Sequence, residues 1–379
     1  VGVDLDEMPD EVLIVHAAVT SDSGIDALAQ RQGLTVLERS SVALLGVRLV
    51  RMQIADGRSP ATVLQSLALE PEVEAAQPNH IYRRQQSSSR AVIAPQYAIS
   101  KLAADGAGIR ASGRGVVIAV VDTGIDASHP DLRRAAVEAH DVLGASNATA
   151  EPAHATAIAG IIAADGITRG IARNARLLSL RAFASFGPRN VARPLRSTSM
   201  VVLKAIDAAV AAGARVLNLS FAGPSDALLE RLLAAADARL VVAIAAAGNG
   251  GAHARPAYPA AYASVIAVTA TDASDRLYEA ATRGAYVEIA APGVEVLAAS
   301  ADHGHELVSG TSFATAYVSG LAALLLEAAP DLAPTHVRTV LIETAVDLGT
   351  PGRDDAFGAG LANAEAALAH RLVKRGKPR

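Results

Sequence analysis

The chain of 379 residues has no cysteine and no tryptophan, and aromatic residues make up only 3% of it. Without cysteine there is no disulfide framework, no thiolate-ligated zinc, no iron–sulfur cluster and no thiol nucleophile, although the compartment stays open. An excess of charge of one sign is missing too. The 34 Lys and Arg residues against 38 Asp and Glu leave a net charge of −4, which argues against a general polyanion binder, so nucleic acid is not an expected partner. No uninterrupted apolar run reaches the roughly 18 residues that span a bilayer. The most apolar helical stretch, 314–329, is broken by Tyr317, Ser319 and Glu327, so no membrane span is expected and the chain reads as soluble. No basic stretch followed by an apolar run opens the chain at Val1, so no export signal is expected within it.

What is present is apolar content, 51% of residues, against 19% charged. Such a chain buries a large core and is not disordered. Much of that content is Ala, Val and Leu, which predicts tight packing of small side chains. The length suits two domains, or a large domain with a small one. A polar stretch, Arg83 to Arg90, has no periodicity and reads as an exposed linker and a proteolysis site. Before it, Glu11 to His16 predicts a strand, Ile25 to Gln32 a helix ended by Gly33, and Val42 to Ile54 one or two strands. Ala61 to Leu69 predicts a helix opened by Ser59 and Pro60, and Val73 to Tyr82 a last strand. The order β-α-β-β-α-β is that of a ferredoxin-like unit. After the linker, apolar runs recur at Val116 to Val121, Arg176 to Leu180, Arg215 to Leu219, Leu240 to Ala246 and Ser264 to Val268. Helical patterns lie between them, including Met200 to Ala211 and Asp226 to Ala236. The expected fold class is therefore α/β, a doubly wound, mostly parallel sheet preceded by a small α+β ferredoxin-like domain. The divisions are 1–84, a linker at 85–94, a catalytic domain at 95–370 and a basic tail at 371–379, the tail read as a solvated, frayed end.

Four residues stand where an open α/β sheet collects ligands, at strand ends and helix starts. Asp122 follows the run 116–121 and precedes Thr123 and Gly124; alone it is equally well a turn or cap. His154 opens an apolar stretch of small residues, where a lone histidine also fits as a core or capping residue. Ser312, in Gly310-Thr311-Ser312-Phe313, precedes an apolar helix and alone reads as its N-cap. Asn249, between Gly248 and Gly250, alone reads as a turn.

Together these segments resemble the subtilisin-like serine peptidases, the subtilases. The resemblance covers most of 95–370 and includes Val121-Asp122-Thr123-Gly124, His129-Pro130-Asp131-Leu132 and the His154 stretch. It continues through Leu217-Asn218-Leu219-Ser220, Ala246-Ala247-Gly248-Asn249, Tyr258-Pro259 and Gly310-Thr311-Ser312. The order Asp, His, Ser is that of subtilisin, and not of chymotrypsin or the α/β-hydrolases. The resemblance implies that Ser312 is the nucleophile, His154 the base with an ordinary pKa of about 6.5, Asp122 its orienting carboxylate and Asn249 an oxyanion donor. It also implies that Ser220, Phe221, Ala222, Ala246, Ala247 and Gly248 wall the first specificity pocket, with Ala257 at the floor in place of a frequent glycine. No acidic residue in these segments would select a basic side chain, and small to medium apolar residues are the expected preference.

The departures are Ala155 and Ala157 in the histidine segment, where Ala155 requires a negative φ, and Phe313 and Ala316 after the nucleophile. Residues 164–170 are short and poor in oxygen ligands for the calcium loop of many relatives, so no metal and no cofactor is expected, and Asp131 is read as structural. By the same resemblance the first block is a prodomain that chaperones folding and then occupies the cleft. Tyr82 would fill an apolar subsite, with cleavage between Arg84 and Arg90. The expected partners are a peptide or protein substrate and this prodomain, and the expected location is secreted or periplasmic. A peptide-binding pseudopeptidase and a hydrolase acting mainly on esters are the alternatives.

Overall fold

The computed structural model describes residues 6–17, 20–84, 88–91, 96–144, 148–149, 152–186 and 195–375. The N-terminal elements are β1 (Glu7–Ala17), α1 (Asp22–Gln32), β2 (Leu34–Val42), β3 (Val47–Ile54), α2 (Pro60–Leu67) and β4 (Ala75–Arg84). The starts and stops follow local chemistry. The hydroxyls of Ser21 and Ser59 accept from the N–H groups of Gly24 and Thr62 at the N-termini of α1 and α2. Gly33 ends α1 in the left-handed conformation at φ 63°, which glycine adopts without a Cβ clash. The strands pair antiparallel in the order β4-β1-β3-β2, the ferredoxin-like arrangement. Alternation along β1 sends Val12 and Ile14 into a small core with α1 and α2, and Leu13 and Val15 to the other face.

That other face does not meet water. Leu13, Val15, Leu44 and Leu49 belong to one continuous apolar cluster with the second unit. The second unit is a seven-stranded, wholly parallel sheet. Its strands are β6 (Val117–Asp122), β7 (Ala136–Asp141), β8 (Arg176–Arg181), β10 (Val216–Leu219), β12 (Val242–Ala246), β13 (Val265–Thr271) and β14 (Ile289–Pro292), ordered β14-β13-β12-β10-β6-β8-β7. Shorter strands flank it: β5 (Ser88–Ala91), β9 (Arg196–Thr198), β11 (Phe221–Ala222), β15 (Val296–Ala299) and β16 (His305–Ser309). Every residue of β10, β12, β13 and β14 is buried, as strands covered on both faces require. The helices used below are α3 (Ala153–Ala163), α4 (Ser199–Ala211), α5 (Ala227–Asp237) and α6 (Thr311–Ala328).

Several expectations are corrected. The second strand of the first unit is Leu34–Val42, earlier than the 42–54 reading. It is an edge strand of alternating burial whose exposed positions are Thr35, Leu37, Arg39 and Ser41, with Glu38 and Ser40 on the half-buried side, so few apolar residues mark it. The segment read as an exposed linker carries strand on both sides. Arg83 and Arg84 are half-buried in β4, and Ser88–Ala91 pair with β16, while 85–87 lie outside the described residues. The basic tail begins as a short helix, Arg371–Arg375, and 376–379 lie outside the described residues. Helix α6 starts three residues before the predicted stretch. It is long and apolar enough to cross a membrane by length and composition, with mean hydropathy 1.3, but 89% of that span is buried inside the fold. It is a core helix.

Candidate active site

From β6 the chain passes to β7 and β8 on one side and then to β10 and β12 on the other. The winding reverses between β6 and β10, so the carboxyl ends of these strands share one crevice. Asp122 ends β6 there and is 3% exposed. Its two carboxylate oxygens lie 3.0 and 2.8 Å from His154 Nδ1, and Oδ1 also accepts from the Thr123 N–H at 2.7 Å. His154 is the second residue of α3, a helix buried from His154 to Ala163. Backbone bonds fix the loop after β6: Ile125 N–H donates to Ser179 Oγ and Asp126 N–H to Thr156 Oγ1, each at 3.0 Å. Ala155 keeps a negative φ inside α3, as its side chain requires.

His154 Nε2 is buried and has no hydrogen-bond partner among the described residues. The Phe313 ring packs on the imidazole at 5.4 Å between centroids. Ser312 precedes Phe313 as the second residue of α6 and is fully buried. Gly310, not Ser312, occupies the N-cap, and no side chain caps α6. The Ser312 hydroxyl instead donates to the Ser220 carbonyl at 3.4 Å. The structure thus joins Asp122 to His154 but makes no hydrogen bond between His154 and Ser312. A hydroxyl turns about a single bond, and such links tighten when substrate is bound.

The backbone of Ser312 is held by a polar chain through the core. Ser319 Oγ donates to Asn218 Oδ1 at 3.0 Å, Asn218 Nδ2 to Ser220 Oγ at 2.9 Å, and Ser220 Oγ to the Ser312 carbonyl at 3.3 Å. Asn249, after β12, has its amide oxygen pinned by the N–H and hydroxyl of Thr311 at 3.1 and 2.8 Å. That assignment turns its NH₂ group away from Thr311. Sequence reasoning missed Thr311 as a positioning residue. Its only signal was a hydroxyl beside Ser312.

Of the seven residues expected to form the pocket, Ala222, Gly248 and Ala257 line a cavity of about 650 Å³ together with Asn249. Ser220, Phe221, Ala246 and Ala247 are buried and do not line it. Gly248, at φ 115°, must be glycine twice over, since a Cβ there would sit 2.8 Å from Thr282 Oγ1. Pro224, Arg255 and Thr282 are among the further lining residues, at positions that the motifs did not flag, and Asp6, Arg83 and Arg84 of the first unit also reach it.

A model of the subtilase family matches residues 113–360. The chain belongs to the subtilase family. It is a subtilisin-like serine endopeptidase. It is 37% identical to subtilisin DY of Bacillus licheniformis over 264 residues, covering 67% of this chain and 91% of that protein. It is 36% identical to subtilisin Savinase of Lederbergia lenta over 267 residues, 68% of this chain and 91% of that one. Fervidolysin of Fervidobacterium pennivorans, a keratinolytic enzyme related to subtilisin, has the same fold at a TM-score of 0.82 and 23% identity. That likeness covers 98% of this chain, which spans 62% of fervidolysin.

In this subtilase the end of β4 lies between two strands of the second unit. Thr198, Ser197 and Arg196 of β9 pair with Ile81, Tyr82 and Arg83 of β4. On its other side β4 pairs with β11, Arg83 with Ala222 and Arg84 with Phe221. An extended segment is added between two cleft strands, the way peptides join exposed sheet edges. Beyond the three residues outside the description, Ser88 to Ala91 pair with Ser309 to Glu306, next to the start of α6. The first unit also docks through Asp207 on α4, which accepts from the N–H groups of Ala43 and Leu44 at 3.1 and 2.7 Å.

Asp131, read from sequence as structural, has its oxygens engaged. It accepts from Ile167 N–H, Thr168 N–H, the Thr168 hydroxyl and His305 Nε2 at 2.6–2.9 Å. Among the described residues no group of three or more His, Asp or Glu side chains is arranged to hold a metal ion. Burial opposes the charge of Asp131, but these donors outweigh burial and hold the carboxyl at about 2. Its folded pKa lies below the ordinary value of about 3.9, so the unfolded chain takes up this proton first. Asp131 therefore stabilises the fold above about pH 4, and that contribution is lost as pH falls through about 2. Asp131→Asn should flatten this part of the acid-denaturation curve. Urea midpoints measured against pH for parent and variant check it.

Proposed function

We propose that Asp122, His154 and Ser312 form the catalytic triad, and that residues 1–84 are a prodomain that this subtilase cuts from itself. Ser312 Oγ attacks the carbonyl carbon of the scissile amide while His154 Nε2 takes its proton. Asp122 holds the Nδ1–H tautomer and stabilises the imidazolium. The carbonyl oxygen becomes an oxyanion, to which Asn249 Nδ2 and the Ser312 N–H donate. His154 returns the proton to the leaving amine. Water then attacks the acyl-enzyme with His154 again as base, which releases the acid and restores the hydroxyl. The observation that carries the reading is the buried Asp122–His154 pair, whose second ring nitrogen has no partner, beside the start of α6 in a cleft holding an added strand.

The register of β4 on β11 supports one processing site within the proposed range. Arg83 pairs with Ala222 and Arg84 with Phe221, so the next cleft residue is Ser220, whose carbonyl touches Ser312 Oγ. Processing after Gln85 follows, within the 84–90 range read from sequence. The cavity beyond it receives no carboxylate from the catalytic unit, and Arg255 stands in its lining. Basic side chains are disfavoured at the cleaved position, and the Ala257 methyl favours small to medium apolar ones. The partners are then peptide or protein substrates and the prodomain, and the enzyme works outside the cytoplasm, as its family does.

The test is a fluorophosphonate probe. The parent enzyme should take one label, at Ser312, and peptide mapping locates it; a peptide-binding module without the triad takes none. Asn249→Ala should lower kcat about 10²–10³-fold with little change in KM. That magnitude is the one known for the corresponding donor in subtilisin. Steady-state kinetics on one peptide substrate check it.

A further inference from the structure

The subsite that receives Tyr82 has a polar floor. Tyr82 is fully buried, with its ring edge-on to Phe221 at 5.6 Å and 82°. The ring lies over Gly223, where a Cβ would approach Tyr82 Cδ1 to 2.5 Å, so only glycine leaves room for it. To this point the subsite is an apolar slot that would take Phe as readily as Tyr. At its end, however, the phenol donates to Asp226 Oδ2 at 3.1 Å. Asp226 belongs to the catalytic unit and is 1% exposed.

The carboxylate is held independently of the phenol. Its Oδ1 accepts from the N–H groups of Leu228 and Leu229 at 2.9 and 3.0 Å, as the N-cap of α5. Its Oδ2 accepts from the Ser199 hydroxyl. Its backbone is clamped by Tyr262, whose hydroxyl accepts from the Asp226 N–H at 2.7 Å and donates to the Asp226 carbonyl at 2.9 Å. All of these partners stay when the first unit leaves. Only Tyr82 and the Gln77 side chain, which donates to Oδ1 at 2.9 Å, depart with it. The emptied subsite then has an anionic oxygen fixed at its end, with one acceptor direction left open. Burial, first, and the neighbouring charge of Asp226 push the Tyr82 phenol up, so it remains a donor at neutral pH.

We propose that Asp226 is a specificity-determining residue. It makes the subsite four positions before the cleaved bond select tyrosine over phenylalanine in substrates, as it does for Tyr82 in the enzyme's own prodomain. The inference rests on the reading that the β4 segment lies in the cleft as substrate does, with cleavage after Gln85. A hydrogen bond to a charged acceptor shifts the balance by about ten- to hundredfold. An apolar slot without that acceptor favours phenylalanine, the more apolar of the two.

The test uses the self-processed enzyme and three peptides identical except at that position, which carries Tyr, Phe or O-methyltyrosine. The last keeps the ring and the oxygen but has no proton to donate. The expected kcat/KM for Tyr exceeds that for Phe about ten- to hundredfold, and O-methyltyrosine falls at or below Phe. In Asp226→Asn, where an amide still caps α5 but presents N–H to the phenol, the Tyr/Phe ratio should fall to near one whatever the absolute rate. A helix cap with no role in selection would leave the ratio unchanged. Cleavage of all three peptides with Phe equal to or better than Tyr overturns the inference and leaves the peptidase reading standing. Cleavage of none, in a preparation whose Ser312 takes no fluorophosphonate, overturns both.

Discussion

Ser312→Ala should yield a chain that stays at its full 38.6 kDa and hydrolyses peptides about 10⁶-fold more slowly than the parent. The rate factor is that of subtilisin when its nucleophile is removed, where the residual catalysis comes from the oxyanion donors and from binding. The reason is specific to Oγ. Without it no acyl-enzyme can form, and His154 has no proton to take from residue 312. Folding should be almost untouched. The hydroxyl makes one long bond, to the Ser220 carbonyl, and does not cap α6. Thermal melting close to that of the unprocessed parent would show that the lost activity is chemical. Self-processing should stop as well, because the cut depends on the same atom, and adding a trace of active parent should not restore an internal cut. Intact mass and peptide hydrolysis, measured on one preparation, read both outcomes. A Ser312→Ala chain that still splits near Gln85 would overturn the triad and the self-processing together.

The same geometry explains how a cut chain could stay inhibited. If the proposed cut is made, the β4 strand would keep its ladder with β9 and β11 and its Tyr82 anchor, all of which lie before the cut. Full burial of such an aromatic contributes about 3 kcal/mol. The first unit also shares its second sheet face, with Leu13, Val15 and Leu49, with helices of the catalytic unit. Once released it would present that apolar face to water, and its own core of β1, β3, α1 and α2 side chains is small. A domain of this size is marginal when half of its sheet burial is removed. Release and degradation of the unit would then follow one another, which favours activation in one direction.

The parts of this enzyme legible in its sequence are those where one physical demand dominates a short segment. Strands buried on both faces are largely apolar, which made β6, β8, β10 and β12 readable almost to their ends and β13 as far as Val268 of Val265–Thr271. Asp122 was visible because a carboxylate directly after such a run is at the carboxyl edge of a parallel sheet, where ligands gather. His154, Ser312 and Asn249 gained meaning only together, through their order and the resemblance they support. Where demands compete, the reading fails. The edge strand β2 alternates polar and apolar residues and has Glu38, Arg39, Ser40 and Ser41 in a row, so its period is hidden. Arg83 and Ser88 looked like linker because their strand partners, β9, β11 and β16, lie far away in the chain. The bond from Tyr82 to Asp226 spans 144 positions, and no local pattern announces it.

Asp122→Asn should lower kcat about 10⁴-fold while leaving KM and stability nearly unchanged. The size is that of the equivalent change in another serine protease, where the triad geometry survives but the tautomer is wrong. Here the argument starts from two short contacts. Both carboxylate oxygens face His154 Nδ1, at 3.0 and 2.8 Å, so the ring proton sits on Nδ1 and Nε2 carries the lone pair. One carboxylate oxygen also accepts the Thr123 N–H, and an asparagine can keep that bond only by turning its carbonyl oxygen toward Thr123. Its NH₂ group then faces the imidazole. Two donors cannot share one hydrogen bond, so the ring must move its proton to Nε2. The base now presents N–H to Ser312 and can accept nothing. Binding should persist, because the hydrogen bonds of Asp122 go to Thr123, His154, Ala182 and Phe183 and not to β9 or β11 among the described residues. The buried site should also persist, because the change is isosteric and every amide atom keeps a partner. The discriminating measurement is the solution NMR of His154 labelled with ¹⁵N: the proton should appear on Nδ1 in Ser312→Ala and on Nε2 in the double variant Asp122→Asn/Ser312→Ala. If both show the same tautomer while Asp122→Asn is inactive, then orientation of the ring by Asp122 is not what the carboxylate contributes.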